Sequence, residues 1–325
     1  MPDPSLPPAI AVTGLRKSFG EHTVLDGVDL QVAPGTVFSL LGPNGAGKTT
    51  AVNILTTLIR ANAGDVWVAG HSVAKEPDAV RAAIGVTGQF SAVDPLLTGE
   101  ENLALMGDLH HLPRRETHRR TTELLERFDL ADAATRRAGT YSGGMTRRLD
   151  LAMSLIGEPR ILFLDEPTTG LDPRSRHTMW QVIHDLATSG VTIFLTTQYL
   201  DEADELADRI ALLDHGTLVA EGTPDELKRL VTGGHISVQF TDAASLDAAA
   251  RALGDIPRDH DTLTLQIASD GSVASLKALL DRFDDRSIAV EKLSIHTPDL
   301  DDVFFALTGH TDTGASAGDE KATTP

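Results

Sequence analysis

The chain has 325 residues, of which 41% are hydrophobic and 23% are charged, so it can build a folded core and is not disordered overall. Its 47 acidic and 28 basic residues give a formal net charge of −19, which disfavours non-specific binding to nucleic acid or anionic lipid. The absence of cysteine excludes disulfides, thiolate metal sites and a cysteine nucleophile.

Strands and helices alternate in the predictions for the first 230 residues. Apolar alternation and short apolar runs predict strands at residues 10–15, 23–32, 37–41, 65–68, 84–86, 161–164, 191–196 and 209–213. Apolar residues at helical spacing predict helices at 49–59, 145–156, 175–189 and 200–207, with more helix between 96 and 137. This alternation indicates a mainly parallel sheet covered by helices.

The sequence changes character near Leu230, where a Gly-Gly linker precedes a second set of elements. Strands are predicted at 236–240, 262–267 and 288–295, and helices at 244–253, 273–283 and 300–307. We therefore expect a larger α/β domain at 1–230, a small α/β accessory domain at 235–309 and a disordered tail at 310–325. No run approaches the roughly 20 apolar residues that cross a bilayer, so we expect no direct membrane insertion.

A phosphate-binding loop is predicted at residues 42–49, which read Gly-Pro-Asn-Gly-Ala-Gly-Lys-Thr and match the pattern G-x-x-x-x-G-K-[ST]. The glycines let backbone N–H groups turn toward phosphate oxygens, and the following helix directs its positive dipole end at the same anion. Lys48 then reaches the β- and γ-phosphates, and the Thr49 hydroxyl can ligate Mg²⁺. The alternative, a glycine-rich turn with an incidental lysine, is disfavoured between a predicted strand and a predicted helix.

Two acids, Asp165 and Glu166, end the predicted strand at 161–164. Parallel sheets bind their ligands at this end, so Asp165 is a second candidate ligand of Mg²⁺ and Glu166 is a candidate base for the attacking water. The alternative is that both acids cap the turn before Pro167. Together with the phosphate loop, the pair predicts nucleotide hydrolysis.

Three shorter segments indicate the class of hydrolase: Gln89 after a predicted strand, Ser-Gly-Gly at 142–144, and Gly-Leu-Asp at 170–172. Residues 142–144 form a second possible anion site at a helix N-terminus, with a simple Ser142 cap as the alternative. In this order, the phosphate loop, Gln, Ser-Gly-Gly, Asp-Glu and Gly-Leu-Asp resemble the ATP-binding subunits of ABC transporters over about residues 10–228. The resemblance implies a P-loop NTPase fold with a RecA-like core, an antiparallel β subdomain and a helical subdomain.

The resemblance also assigns roles to single residues. Residues 142–144 contact ATP held by the opposite subunit, Gln89 senses the γ-phosphate and lies beside the contact with the membrane subunit, and Asp172 is the D-loop aspartate. Phe19 lies where the family stacks an aromatic on adenine, a core aromatic being the alternative. The nucleotide-binding candidates are Phe19, Gly42, Pro43, Asn44, Gly45, Ala46, Gly47, Lys48, Thr49, Thr50, Ser142, Gly143, Gly144 and Asp172. The catalytic candidates are Lys48, Gln89, Glu166 and Gln198, and the metal candidates are Thr49, Gln89 and Asp165.

Some residues depart from the usual family pattern. Tyr141 and Met145 replace the usual Leu and Gln around Ser-Gly-Gly, and Gln198 stands where the family usually has a histidine that reaches the γ-phosphate. A Gln side chain can donate an N–H to phosphate, but it cannot carry charge or shuttle a proton. The segment Thr-Thr-Gln-Tyr-Leu-Asp-Glu-Ala-Asp at 196–204, with the closing residues 300–309, resembles the daunorubicin-resistance (DrrA-type) group.

That resemblance implies a homodimer that binds ATP and Mg²⁺, acts at the cytoplasmic face of the membrane, and drives drug or natural-product efflux through a separate integral-membrane permease. A soluble ABC-type ATPase acting on ribosomes or DNA is a rival. The single cassette and the charge of −19 disfavour it, and no nucleic-acid partner is expected. An ATP-dependent regulator with weak hydrolysis and a transporter ATPase for another substrate, importers included, also remain open.

Overall fold

The computed structural model describes residues 7–88, 91–231, 234–254, 256, 258–269, 272–286, 288–296 and 298–308. The chain divides into two compact units, Met1–Leu227 and Lys228–Pro325. Within the described ranges, no helix is both long enough and apolar enough to cross a membrane. The tail expected at residues 310–325 lies outside them.

The strands of the first unit agree with the predicted order and add some that were not predicted. They are β1 Ile10–Phe19, β2 His22–Val32, β3 Val37–Leu41, β4 Ala63–Val68, β5 His71–Ser72, β6 Ile84–Thr87, β7 Ile161–Asp165, β8 Thr192–Thr197, β9 Arg209–Asp214 and β10 Thr217–Gly222. The helices are α1 Lys48–Leu55, α2 Pro77–Ala83, α3 Gly99–Leu109, α4 Arg114–Arg127, α5 Gly143–Leu155, α6 Pro173–Thr188, α7 Leu200–Leu206 and α8 Pro224–Lys228, with short 3₁₀ turns at Ala131–Ala133 and Ala138–Thr140.

A six-stranded sheet in the order β10-β9-β3-β8-β7-β6 forms the centre of this unit. It is parallel from β9 to β6, and β10 pairs antiparallel with β9. Strands β3 and β7 are buried along their whole length, as expected for strands covered on both faces. Phe194 on β8 lies between Phe38 and Phe163 of the neighbouring strands, with ring centroids 5.5 Å apart in each pair. The parallel arrangement brings the carboxyl ends of β3, β7 and β8 to one edge.

A separate antiparallel sheet has the order β2-β1-β4-β5. These strands do not join the parallel sheet, although simple alternation of predicted elements did not separate them from it. Ile10, Leu15 and Leu25 are buried in a cluster that also contains α1 residues such as Ile54. Helix α1 ends at Leu55 instead of Ile59, because Thr57 turns into the left-handed region with a φ of 68°.

The helices α3 to α6 pack around a second apolar cluster that includes Leu103, Leu149 and Ile183. Helix α3 begins with a capping box: Thr98 Oγ1 accepts from the Glu101 N–H at 3.2 Å, and Glu101 Oε2 accepts from the Thr98 N–H at 2.8 Å. This helical region corresponds to the helical subdomain that the resemblance implies.

The second unit contains β11 His235–Phe240, α9 Ala243–Ala252, β12 Arg258–Asp259, β13 Thr264–Ala268, α10 Val273–Asp284, β14 Val290–His296 and α11 Leu300–Thr308. Its sheet has the order β12-β13-β11-β14 and is antiparallel throughout, which is the split βαββαβ arrangement. The two-residue strand β12 is too short to give a periodic signal, so only three strands were predicted here. Alternate residues of β11 are buried, and Phe240 meets Phe283 edge to face at 5.9 Å.

Candidate functional site

The loop between β3 and α1 adopts the conformation that the phosphate-binding pattern requires. Gly47 has a φ of 110°, and a Cβ atom there would lie 2.9 Å from the Val24 carbonyl oxygen, so glycine is needed at this position. Gly47 is the N-cap of α1, and no side chain in the described part of the chain caps that helix. The first N–H groups of α1 therefore have no side-chain acceptor, the arrangement that binds anions at helix N-termini.

Lys48 is the first residue of α1, and its side chain is only 5% exposed. Its Nζ donates to the carbonyl oxygens of Gly42 at 2.8 Å and Pro43 at 3.1 Å, and lies 3.8 Å from Glu166 Oε1. Burial lowers the pKa of Lys48, while the nearby Glu166 and Asp165 carboxylates act in the opposite direction. The lysine thus lies between the phosphate loop and the acidic pair.

Thr49 and Asp165, which are 116 residues apart in sequence, come together at the edge of the sheet. The Thr49 Oγ1 donates to Asp165 Oδ1 at 3.4 Å, and the same carboxylate oxygen accepts from the Thr196 hydroxyl on β8. Hydroxyl and carboxylate oxygens are the hard ligands that Mg²⁺ prefers, so this pair fits a magnesium site.

Glu166 follows β7 in an unusual backbone conformation with a φ of 50°. Its N–H donates to the Thr196 carbonyl oxygen at 3.1 Å, and its Oε2 accepts from Thr169 Oγ1 at 3.2 Å. A non-glycine residue in the left-handed region costs free energy and is concentrated at functional sites. The conformation places the Glu166 carboxylate beside Lys48.

Gln198 comes directly after β8 and is partly buried. Four residues further along the chain, on α7, is a carboxylate that the sequence analysis did not single out. Glu202 is fully buried, and its Oε1 accepts from Thr168 Oγ1 at 2.7 Å and from Trp180 Nε1 at 3.2 Å. Burial raises the pKa of Glu202. The sequence signal that could have identified Glu202 is its place on the apolar side of α7, beside the buried Ala203 and Leu206.

Residues 142–144 lie close to Asp172, because both segments contact Ser175. Ser142 caps α5 by accepting from the Met145 N–H at 3.3 Å, and Asp172 caps α6 by accepting from the Ser175 N–H at 3.0 Å and hydroxyl at 2.6 Å. A Cβ atom on Gly144 would lie 2.7 Å from that Ser175 hydroxyl. Among the described residues, no hydrogen bond joins these segments to the phosphate loop. Ser175 is thus a contact that sequence reasoning missed.

The remaining candidates are Phe19, Gln89 and Thr50. Phe19 is 52% exposed at the end of β1 and is therefore not a core aromatic, and Lys17 Nζ lies over its ring, 4.7 Å from the centroid. Gln89 is outside the described residues, and its predicted roles in catalysis and metal binding stay predictions. Thr50 lies in the first turn of α1, after Thr49.

A family model described as "ABC transporter" matches residues 25–169 of the chain. The chain is 48% identical over 307 residues to the daunorubicin resistance ATP-binding protein DrrA2 of Streptomyces coeruleorubidus, covering 93% of this chain and 95% of the relative. It is also 45% identical over 309 residues to the doxorubicin resistance ATP-binding protein DrrA of Mycobacterium tuberculosis, covering 92% and 93% of the two chains.

Solved structures of ATP-binding cassettes share the fold of the part of this chain that they cover, 68% in one case and 66% in another. One is a dimeric post-hydrolysis state of the cassette MJ0796 bound to ADP and phosphate, with a TM-score of 0.60 and 27% identity. The match covers 66% of this chain and 98% of that one.

Proposed function

The chain belongs to the ATP-binding subunits of ABC transporters, in the daunorubicin-resistance group, and from this premise we propose that it powers efflux of a drug or natural product through a separate membrane permease. ATP binding and ATP hydrolysis coupled to transport are the activity of this family. Efflux is supported by the relatives named for daunorubicin and doxorubicin resistance, which align over more than nine tenths of this chain.

The observation that carries the proposal is the convergence of Lys48, Thr49, Asp165 and Glu166 at the carboxyl ends of β3 and β7. The loop N–H groups and Lys48 would hold the phosphates of ATP. Thr49 and Asp165 would hold Mg²⁺, which supplies charge neutralisation at the phosphates when bound. Glu166 would orient and deprotonate the attacking water, and Gln198 would donate an amide N–H to the γ-phosphate.

The unit of function that we propose is a homodimer. Subunits of this family dimerise and pair with membrane permeases. Two copies of this chain would meet head to tail, so that residues 142–144 and Asp172 of one copy approach ATP on the phosphate loop of the other. Because ATP would then touch both copies, it binds the closed dimer better than the open one, and this difference in affinity drives closure.

We further propose that residues 1–230 form the ATP-binding domain and that residues 235–309 form an accessory domain. The dimer would lie at the cytoplasmic face of the cell membrane through its permease, without inserting into the bilayer and without binding nucleic acid. The net charge of −19 supports the absence of nucleic-acid binding.

Two substitutions in the purified full chain test the ATPase site. Glu166→Gln should lower kcat by about 10²–10⁴-fold, the usual contribution of a positioned base, while leaving the Kd for ATP within about twofold and accumulating an ATP-bound dimer. Lys48→Ala should weaken ATP binding itself. The exposed Glu158, which pairs with Arg120 away from the site, offers Glu158→Gln as a control that keeps full turnover. Parental turnover by Glu166→Gln would show that Glu166 is not the base.

A third experiment tests efflux. A tagged chain should co-purify with an integral-membrane protein from detergent-solubilised membranes, and daunorubicin should stimulate the ATPase activity of that complex. Turnover without any membrane partner would favour a soluble ATPase, and a partner whose complex does not respond to drugs would favour another substrate.

A further inference from the structure

One arginine on α5 contacts the backbone of the turn that carries Glu166. Arg147 Nε donates to the Pro167 carbonyl oxygen at 2.8 Å, and its Nη2 donates to the carbonyl oxygens of Asp165 and Glu166, each at 3.2 Å. The Arg147 side chain is only 12% exposed. Three consecutive carbonyl groups at the end of β7 and directly after it are therefore held by one planar guanidinium, whose donors have a fixed geometry.

The same guanidinium also reaches a different part of the chain. Arg147 Nη1 donates to the Gly88 carbonyl oxygen at 2.9 Å and to Asp150 Oδ2 at 3.3 Å. Asp150, one turn further along α5, is 4% exposed, and its Oδ1 accepts from the Ala92 N–H at 3.0 Å. The pair thus binds Gly88 and Ala92 on one side and the turn after β7 on the other.

The presence of this buried pair is weak evidence that it stabilises the fold. Burial raises the pKa of Asp150 in spite of the Ala92 N–H and the Arg147 charge, so the ionised carboxylate pays a net desolvation cost. Buried ion pairs of this kind often contribute no more to stability than apolar residues of the same size. The hydrogen bonds of such a pair do fix the positions of the groups that they join. Here one of those groups is the backbone carbonyl of Glu166.

The backbone conformation of Glu166 requires hydrogen bonds that hold it in place. A residue with a φ of 50° stays in the left-handed region only when its surroundings hold it there. The Glu166 N–H donates to the Thr196 carbonyl oxygen on β8. Arg147 donates to the carbonyl oxygen of Glu166 and to those of the residues before and after it. Loss of the arginine contacts would let the turn relax, and the carboxylate would leave its place 3.8 Å from Lys48.

We propose that Arg147, oriented by Asp150, is the positioning residue that holds Glu166 in its hydrolytic geometry and links it to the backbone at Gly88 and Ala92. The inference rests on the proposed function, because it assigns a structural cause to the placement of the proposed base. Since α5 begins at residues 142–144, a displacement of that helix, or of Gly88 and Ala92, changes the position of Glu166. Hydrolysis is thereby made dependent on where α5 lies.

The decisive variant is Arg147→Lys, which keeps a positive charge for Asp150 but replaces the planar fork by a single nitrogen. We expect kcat for ATP to fall about tenfold or more, and the Kd for ATP to stay within about twofold, since the phosphate loop is not touched. In the Glu166→Gln background, the same substitution should cause no further loss of turnover, because a residue that acts through Glu166 has nothing left to position. The neutral double variant Arg147→Met/Asp150→Asn, which leaves no unpaired buried charge, should behave in the same way.

Arg120→Lys is the matched control. Arg120 is also mostly buried and also joins a carbonyl oxygen, that of Ile156 at 2.8 Å, to a carboxylate, that of Glu116 at 2.7 Å, away from the site. The Arg120→Lys variant should keep kcat within about twofold of the parent value. An equal fold-loss from Arg147→Lys in the parent and in the Glu166→Gln background, or an unchanged kcat in the parent, would overturn the inference.

Amide hydrogen exchange separates this inference from the proposed function. In Arg147→Lys, the amides of residues 166–171 should exchange faster than in the parent, and in Arg120→Lys they should not. A parent chain that hydrolyses ATP no faster than Lys48→Ala would refute the proposed function, and unchanged exchange at 166–171 would refute the positioning role independently.

Discussion

The N-termini of α1 and α5 both follow glycine-containing segments, but their first N–H groups are satisfied differently. At α1, Gly47 is in the left-handed region and no described side chain accepts from the helix. At α5, the Ser142 hydroxyl accepts from the Met145 N–H at 3.3 Å, and Gly144 is packed against Ser175. Similar local sequence therefore gives an open anion site at one helix and an internally capped one at the other.

This difference indicates that the N-termini of α1 and α5 act at different steps of ATP binding. We propose that the end of α1 binds a phosphate within one chain, and Lys48 lies beside it. At α5, a phosphate must compete with the cap that Ser142 provides. We expect the α1 end to determine nucleotide affinity and the α5 end to affect the later step in which two copies close on ATP.

The largest effect is expected from Gly47→Ala. The new Cβ would lie 2.9 Å from the Val24 carbonyl oxygen, and the φ of 110° disfavours any side chain, so α1 and Lys48 must shift. Returning the shifted loop to its binding conformation would cost about 3 kcal/mol of strain, which weakens ATP binding by roughly 100-fold. Isothermal titration calorimetry measures this change. Gly70→Ala, in a turn with a similar φ of 84° but no atom within 4 Å, is the control for backbone strain. Equal weakening by both variants would contradict the role of the loop.

The next effect is expected from Gly144→Ala, and it should appear in a different quantity. The Cβ would displace the Ser175 hydroxyl, which is hydrogen-bonded to Asp172, so both segments that we propose to approach the second copy should move. We expect kcat to fall about tenfold with the Kd for ATP unchanged. Gly107→Ala, whose Cβ would lie 2.7 Å from the Thr117 hydroxyl in the helical region, should lower stability without changing kcat. A loss of ATP affinity in Gly144→Ala would remove the distinction between the two helix ends.

A smaller effect is expected from removal of the α5 cap. Ser142→Ala should lower the free energy of unfolding by about 1 kcal/mol, the usual value for an N-cap, measured by urea denaturation. Ser142→Asp should preserve stability, since Asp is an equally good N-cap, but it should lower ATP turnover because its charge repels phosphate. Full turnover by Ser142→Asp would show that this helix end does not approach an anion.

The smallest effect concerns pH. Hydrogen bonds from the Ser175 hydroxyl and N–H hold the pKa of the Asp172 carboxyl below its ordinary value of 3.8. Because the folded-state pKa is the lower one, the stabilisation is present above that ordinary value and is lost as the pH falls through the lowered pKa. The advantage of the parent over Asp172→Asn in thermal unfolding should therefore be present at neutral pH and shrink below about pH 4. A difference that does not change with pH would contradict this.

Much of the candidate site was predictable because it depends on short segments. The residues of the phosphate loop, Asp165 and Glu166 lie at the ends of buried strands, where apolar runs stop abruptly at glycine or acid. The antiparallel pairing of the second unit was not predictable from its alternating elements, because β12 has only two residues. Glu202, Arg147 and the contact between Ser175 and Gly144 were also missed, since each depends on partners distant in the sequence.

The sequence by itself determined the loop that we propose binds phosphate, because a strand, a glycine-rich turn and the first turn of a helix form it from contiguous residues. Only the tertiary structure decided which distant groups act on it. Lys48 faces Glu166, and Thr49 faces Asp165, because neighbouring parallel strands end at one edge of the sheet. Arg147 reaches Gly88 and the turn after β7 because α5 packs where those backbones meet. Such contacts depend on packing of the folded chain, which local periodicity does not encode.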